Sequence, residues 1–228
     1  MSVDTDPPPA AARLFGDRLP QAVAFARLLA TDAVVRGLIG PGEADRLWER
    51  HLLNCAAVAE AVPPSAHVVD LGSGAGLPGI ALALARPDLT VDLVEPMSRR
   101  TVFLDEVVAA LGLSAVRVVR ARADAAERDR YDVVTARALA PLDRLVAMAL
   151  PLARPGGVLL AMKGASAAAE LRAAGDAVRA AGGERSAVLL LGVGLLDPPT
   201  AVVTVHRATN AGLDRSARRR QRGGAGAR

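Results

Sequence analysis

From Pro64 onward, short apolar runs alternate with amphipathic helical patterns, and this alternation most tightly constrains the fold. Predicted strands cover residues 67–71, 90–95, 115–119, 131–136 and 157–162, and predicted helices cover residues 78–85, 98–111, 142–152 and 166–181. Such alternation predicts right-handed crossovers and a parallel sheet with helices on both faces. Two final apolar runs, residues 186–193 and 201–206, have too short a connection for a crossover, so we expect an antiparallel hairpin at the sheet edge.

The chain divides into four segments by composition. Residues 1–9 are polar and proline-rich, and we expect them to be disordered; residues 10–64 have helical spacing and form an N-terminal helical extension. Residues 65–208 carry the alternating pattern, and residues 209–228 form an arginine-rich tail that we also expect to be disordered. Five parallel strands and a terminal hairpin are the layout of the Rossmann-like, seven-stranded class I methyltransferase sheet, an α/β fold.

Charge and composition exclude several classes of protein. The formal net charge is +4, but residues 211–228 alone carry +5, so the other 210 residues carry −1. Aromatic residues make up 2% of the chain, too few for a base-stacking platform for single strands. A single cysteine excludes a disulfide framework and a cysteine-rich zinc site, and no ligand spacing predicts a metal. Without a signal-peptide pattern or a membrane-length apolar run, we expect a cytoplasmic protein.

A glycine-rich turn, residues 70–79 with the sequence DLGSGAGLPG, directly follows the first predicted strand. Glycines at Gly72, Gly74 and Gly76 allow a ligand to approach the backbone at the carboxyl end of the sheet. The pattern from Gly74 onward also matches a dinucleotide fingerprint. Including Asp70 and Gly72, it matches the first motif of S-adenosylmethionine (AdoMet) enzymes, which we favour.

Two carboxylates fit this interpretation. Asp70 can meet the ammonium or amino group of AdoMet, and Glu95, 21 residues after Gly74, can accept hydrogen bonds from ribose hydroxyls. The ribose contact fits a dinucleotide equally well. An NAD-dependent oxidoreductase therefore stays as an alternative, together with an AdoMet methyltransferase acting on another substrate and a non-catalytic RNA-binding module that uses the tail.

Further motifs occur in one order over roughly residues 45–206. They are residues 48–53 (WERHLL), 70–79, 99–104 (RRTVFL), Arg122, residues 135–138 (TARA) and 162–164 (MKG). With these motifs the chain resembles the RsmG family, also called glucose-inhibited division protein B, of small-subunit ribosomal RNA guanine-N7 methyltransferases. The chain has Asn54-Cys55 where the family often has Asp-Ser.

The resemblance implies AdoMet-dependent methylation of N7 of a guanine in 16S rRNA. It implies that Gly72 and Leu77 line the cofactor, that Ala123 and Asp124 flank the adenine, and that Arg137 closes the site. The partner would be 16S rRNA or the small ribosomal subunit, and we expect a monomer.

Methyl transfer to guanine N7 needs no general base, because this nitrogen carries a lone pair and no proton. The sequence therefore predicts positioning residues rather than an acid or base: Arg137, Lys163 and His51. A cytosine-C5 enzyme would need a nucleophilic cysteine, whereas Cys55 lies on an apolar helix face and is predicted to be a core residue.

Four basic residues are candidates for contact with RNA: Arg99, Arg100, Arg122 and Lys163, which is the only lysine of the chain. Residues 197–200, DPPT, are similar to the motif of exocyclic-amine methyltransferases but lack its aromatic residue and lie in the final hairpin. We interpret them as a turn.

Overall fold

A computed structural model describes residues 6–209, so the predicted tail from residue 210 and the first five residues lie outside the described part. The eight α-helices of this part are α1 (Pro9–Phe15), α2 (Leu19–Leu28), α3 (Leu53–Ala57), α4 (Gly79–Ala85), α5 (Ser98–Ala110), α6 (Leu142–Ala149), α7 (Ala167–Ala173) and α8 (Gly175–Ala180). The strands are β1 (His67–Leu71), β2 (Thr90–Val94), β3 (Val116–Val119), β4 (Tyr131–Arg137), β5 (Ala153–Met162), β6 (Gly183–Leu191) and β7 (Thr200–Arg207).

The seven strands form one sheet in the order β3-β2-β1-β4-β5-β7-β6. The first five strands pair in parallel, whereas β7 runs antiparallel to both β5 and β6. This is the predicted sheet with its edge hairpin. Because β1 lies at the centre, where the strand order reverses, the turn that follows it opens at the position where such sheets bind ligands.

Apolar side chains fill the two faces of the sheet. One cluster packs the N-terminal helices and α4 against the sheet, with Phe25, Leu52 and Ile80 fully buried. The other cluster packs α6 and α8 against the opposite face through Leu145, Val146 and Val178. The N-terminal helices are therefore part of the core and hold the residues that follow them in place.

Local irregularity marks the N-terminal extension. Helix α1 begins at Pro9, at the last residue of the segment that we expected to be disordered. The residues before α3, Leu47–Leu52, form a π-helical turn, a rare conformation that is frequent at functional sites. His51 lies in this turn.

Candidate active site

The glycine turn is fastened to the end of β2 by backbone hydrogen bonds. The amides of Gly72 and Ser73 donate to the carbonyl of Val94 at 2.8 and 3.2 Å. The amide of Gly74 donates to Oε2 of Glu95 at 3.1 Å. The turn and Glu95 therefore form one surface at the carboxyl ends of β1 and β2.

The backbone of this turn is bare at Gly74. Within the described part of the chain, a Cβ added there would meet nothing nearer than the carbonyl oxygen of Gly72 at 3.8 Å, and φ at Gly74 is +58°. Gly72 also has a positive φ, +70°, and a Cβ there would lie 2.7 Å from Cδ1 of Leu139. Glycine tolerates this left-handed conformation without strain, and it leaves space for a ligand over Gly74.

Asp70, the last but one residue of β1, is completely buried. Its Oδ2 accepts a hydrogen bond from the amide of Gly79 at 2.9 Å, whereas Oδ1 has no hydrogen-bond partner among residues 6–209. Burial raises the pKa of Asp70 to about 7, despite the hydrogen bond from the amide of Gly79. The hydroxyl of Ser73 donates to the backbone carbonyl of Asp70 at 2.9 Å. The carboxyl thus joins the start of the glycine turn to its last residue, Gly79. Oδ1 can accept a hydrogen bond from a further donor.

Glu95 follows β2, and only 1% of it is exposed. Besides Gly74, its carboxylate accepts a hydrogen bond from the amide of Met97 at 3.0 Å and pairs with Arg100 at 3.4 Å. Each carboxylate oxygen can accept more than one hydrogen bond, so a ribose hydroxyl can still be accommodated. This contact stays a prediction.

The residues after β3 lie on the same edge of the sheet. Ala123 is half-buried in a short 3₁₀ turn, and Asp124 is exposed, with its carboxylate 3.4 Å from Arg122. Leu77 is half-buried at the end of the glycine turn. The fold places all these predicted cofactor residues at the carboxyl edge, and their contacts to AdoMet stay predictions.

Arg137, the last residue of β4, is held by the N-terminal helices. Its guanidinium contacts Nδ1 of His51 and lies 3.5 Å from Sγ of Cys55. On its other side, Nε2 of His51 lies 2.8 Å from Oε2 of Glu43. Because a guanidinium only donates, Nδ1 accepts, and Nε2 carries the proton that is donated to Glu43.

The protonation states agree with this arrangement. Burial and the nearby Arg137 lower the pKa of His51 to about 4, so the imidazole is neutral at pH 7. Burial raises the pKa of Cys55 to about 11, and the side chain is completely buried, as predicted for a core residue. Its thiol is therefore not a nucleophile at neutral pH.

Lys163, directly after β5, has a partner that the sequence did not reveal. Its side chain is 9% exposed, pairs with Glu170 at 2.8 Å and donates to the carbonyl of Ala140 at 2.6 Å. The sequence predicts that Lys163 faces RNA, whereas in the structure its ammonium group binds Glu170 and Ala140 of the protein itself. Its contact with RNA stays a prediction.

A cavity of about 440 Å³ opens beside Arg137 and Lys163 at the carboxyl ends of β4 and β5. Its other lining residues include Arg50, Asn54, Glu170, Pro198, Pro199 and Thr200. The hydroxyl of Thr200 donates to Oδ1 of Asn54 at 2.8 Å, which joins the β6–β7 turn to the N-terminal helices. The segment that we interpreted as a turn is a turn and also a wall of this cavity.

The three predicted RNA-binding arginines differ in their surroundings. Arg99 and Arg122 are exposed, whereas Arg100 is half-buried and pairs with Glu95. Arg99 can therefore meet a phosphate directly, whereas Arg122 and Arg100 each lie 3.4 Å from a carboxylate, of Asp124 and of Glu95, that they would first have to leave. Among residues 6–209, no group of three His, Cys, Asp or Glu side chains could hold a metal ion.

Sequence reasoning missed Glu43 and Glu170. Each contacts a predicted residue, His51 or Lys163, that lies in a neighbouring element of the chain. The seven-residue spacing of Lys163 and Glu170 was visible, yet a 3₁₀ turn and the start of α7 lie between them, so no continuous helical periodicity pointed to it.

The geometry fits AdoMet. The bare backbone at Gly74, the unpartnered buried Oδ1 of Asp70 and the carboxylate of Glu95 offer the space and the acceptors that its ribose and ammonium groups require. Glu95 alone does not separate AdoMet from a dinucleotide, because both carry a ribose at this position of the sheet.

Solved structures with the same fold include methyltransferases. A SAM-dependent O-methyltransferase from Thermotoga maritima has a TM-score of 0.55 at 11% identity, over 69% of this chain and 65% of that chain. A predicted O-methyltransferase from Agrobacterium tumefaciens has a TM-score of 0.54 at 18% identity, over 69% and 81%. These likenesses concern the fold and confirm the class I methyltransferase sheet.

Sequence comparison is more specific. A protein of Salinispora arenicola named ribosomal RNA small subunit methyltransferase G is 55% identical, over 97% of each chain. A protein of the same name from Nocardioides sp. is 58% identical over 87% of this chain and 80% of its own length. The family model described as rRNA small subunit methyltransferase G matches residues 18–194. The sheet, the glycine turn and these matches together show that the chain belongs to the rRNA small subunit methyltransferase G family.

Proposed function

We propose that this chain methylates N7 of a guanine in 16S rRNA, with AdoMet as the methyl donor. The observation that carries this proposal is the bare glycine turn, flanked by Glu95 and Asp70, at the same edge of the sheet as Arg137 and its cavity. Membership of the family supports the choice of substrate.

When bound, AdoMet supplies a methyl group on a positively charged sulfur, which is already activated for transfer. The protein then has to align this methyl with the attacking nitrogen. Guanine N7 attacks with its own lone pair, so no residue of the site has to remove a proton. His51 is neutral and bonded to Arg137 on one side and Glu43 on the other, so its role is to position the guanidinium.

Arg137 is the cation at the centre of the proposed mechanism. A guanidinium donates in a planar fork and binds carboxylates and phosphates in a fixed orientation. At the end of β4 it can orient the cofactor carboxylate or an RNA phosphate beside the cavity. The 440 Å³ of this cavity can hold a base that has been turned out of its stack.

The RNA partner is 16S rRNA, naked or within the small subunit. Exposed arginines at the carboxyl edge, Arg99 and Arg122, are the proposed phosphate contacts. A protein that acts on bacterial ribosomal RNA works in the cytoplasm. None of the helices in residues 6–209 combines the length and the apolar character needed to cross a membrane.

The test uses 16S rRNA, free and in small subunits, from a strain that lacks this protein. The purified chain is incubated with each substrate and with AdoMet that carries a deuterated methyl group, and nucleosides are then separated by mass. We expect deuterated N7-methylguanosine at one position. Label on another atom or no label on either substrate would contradict the proposal.

A further inference from the structure

Two side chains from later in the chain, Lys163 and Glu170, hydrogen-bond to the backbone of the segment between β4 and α6, residues 138–141, and of the first residue of α6. Nζ of Lys163 donates to the carbonyl of Ala140 at 2.6 Å, and Oε2 of Glu170 accepts from the amide of Leu142 at 3.1 Å. The two side chains also pair with each other at 2.8 Å. Both contacts lie at the C-terminal side of the segment, at Ala140 and at the first residue of α6.

The first residue of the segment has a strained backbone. Ala138 has φ +52°, the left-handed region that residues with a Cβ rarely adopt. Such strain persists only where the surroundings impose it, and it is concentrated at functional sites. Ala138 lies two residues before Ala140, whose carbonyl accepts the hydrogen bond from Lys163; we call the contacts of Lys163 and Glu170 with Ala140 and Leu142 the clamp.

The segment lies over the proposed donor site. Leu139 is the residue whose Cδ1 would be 2.7 Å from a Cβ added to Gly72, so its side chain packs directly against the glycine turn. Residue 138 also lines the 440 Å³ cavity beside Arg137. A shift of this segment would therefore move a wall of the cofactor site and a wall of the substrate cavity together.

We propose that Glu170 is a positioning residue for methyl transfer, acting through Lys163 and residues 138–141. The inference rests on the proposed function and deepens it, because it gives Lys163 a task that does not require RNA. The hydroxyl of Ser166 donates to Oε1 of Glu170 at 2.7 Å and fixes the carboxylate. Hydrogen bonds from Lys163 and Ser166 lower the pKa of Glu170, so it is ionised at neutral pH.

The experiment compares Glu170→Ala with Glu170→Gln, which keeps an acceptor for Leu142 and Lys163. Asp176→Ala is the matched control, because it removes an exposed ion pair with Arg179 on the neighbouring helix α8. We expect Glu170→Ala to lower kcat on 16S rRNA by roughly 10- to 100-fold, the scale of a small misplacement of reacting groups. Glu170→Gln should recover part of this loss, and all variants should melt within a few degrees of the wild type.

A second readout does not depend on catalysis. Amide hydrogen exchange at residues 139, 140 and 142 should be faster in Glu170→Ala than in Asp176→Ala or the wild type. Equal kcat and equal exchange in Glu170→Ala and Asp176→Ala would overturn the inference. Loss of kcat with unchanged exchange would also overturn it, because the segment would then not carry the effect. A wild type without guanine-N7 activity would refute the proposed function instead, while exchange would still test the clamp.

Discussion

At the scale of single residues, two features of the proposed site stand out: a glycine without a side chain at position 74 and a buried carboxylate oxygen of Asp70. Gly74 offers a bare backbone with open space above it, and Asp70 offers a buried oxygen without a partner. Neither residue supplies acid–base chemistry. In the proposed function, both residues form part of the binding site for AdoMet, whose methyl group is already activated for transfer.

We predict that Gly74→Val abolishes AdoMet binding, because the side chain would fill the space where the cofactor approaches the backbone. Gly112→Val is the matched control, since Gly112 also has a positive φ, +64°, with nothing within 4 Å of an added Cβ. Both variants carry similar backbone strain, and calorimetry should show AdoMet binding in the control alone. Equal affinities in the two variants would contradict the assigned site.

Asp70 gives a prediction about pH. Its pKa is raised in the folded protein to about 7 from 3.8, so between these values the folded state holds more protons, and stability falls as pH rises through this range. A cationic ammonium near Oδ1 favours the ionised carboxyl. AdoMet binding at pH 6.5 should therefore release protons, seen as different binding heats in phosphate and Tris buffers.

Asp70→Asn should bind AdoMet with the same heat in both buffers after correction for ionisation of the cofactor itself. If the wild type already shows no buffer dependence beyond that correction, Asp70 does not meet a cation, and its role is confined to the hydrogen bond with Gly79.

At the scale of elements, the sequence predicted the bounds of most parallel strands more closely than the bounds of the helices between them. Strand β1 has the predicted bounds, and β2 and β3 differ by one residue, because buried parallel strands are continuous apolar runs between turn residues. Strand β5 begins four residues earlier than predicted, at Ala153. Its first residues include Pro155, Gly156 and Gly157, which are typical of turns.

Helix boundaries were less predictable. The single helix expected over residues 166–181 is two helices, α7 and α8, that meet between Ala173 and Gly175. The π-helical turn before α3 has no local sequence signal, since it depends on packing. The partners Glu43 and Glu170 were hidden for the same reason, because the contacts arise between elements.

The N-terminal elements give a further prediction. His51→Phe should weaken AdoMet binding or lower kcat, because Arg137 would lose its acceptor, whereas His206→Phe in β7 should change neither.

The pKa of His51 is lowered from 6.5 to about 4, so the unfolded state binds more protons between these values, and the free energy of unfolding falls as pH falls.

This loss should reach about 3 kcal/mol at most and should be smaller in His51→Phe, as measured by urea unfolding at pH 4 and pH 7. A wild type and a His51→Phe variant with the same pH dependence would show that the neutral imidazole is not buried as described.

At the scale of the whole molecule, the fold brings three parts of the chain to one edge. The glycine turn follows β1, Arg137 ends β4, and the N-terminal helices supply His51 and Glu43 from the start of the chain. The net charge of residues 1–210 is −1, so binding of RNA depends on where individual arginines lie rather than on the total.

The most direct measurement of the central claim is a crystal structure of the protein with AdoMet. We expect density for the cofactor over Gly72 and Gly74, with its ribose at Glu95 and its methyl group directed towards the cavity beside Arg137. Cofactor density away from this turn, or saturating AdoMet with the turn still covered by Leu139 and no density over it, would contradict the account.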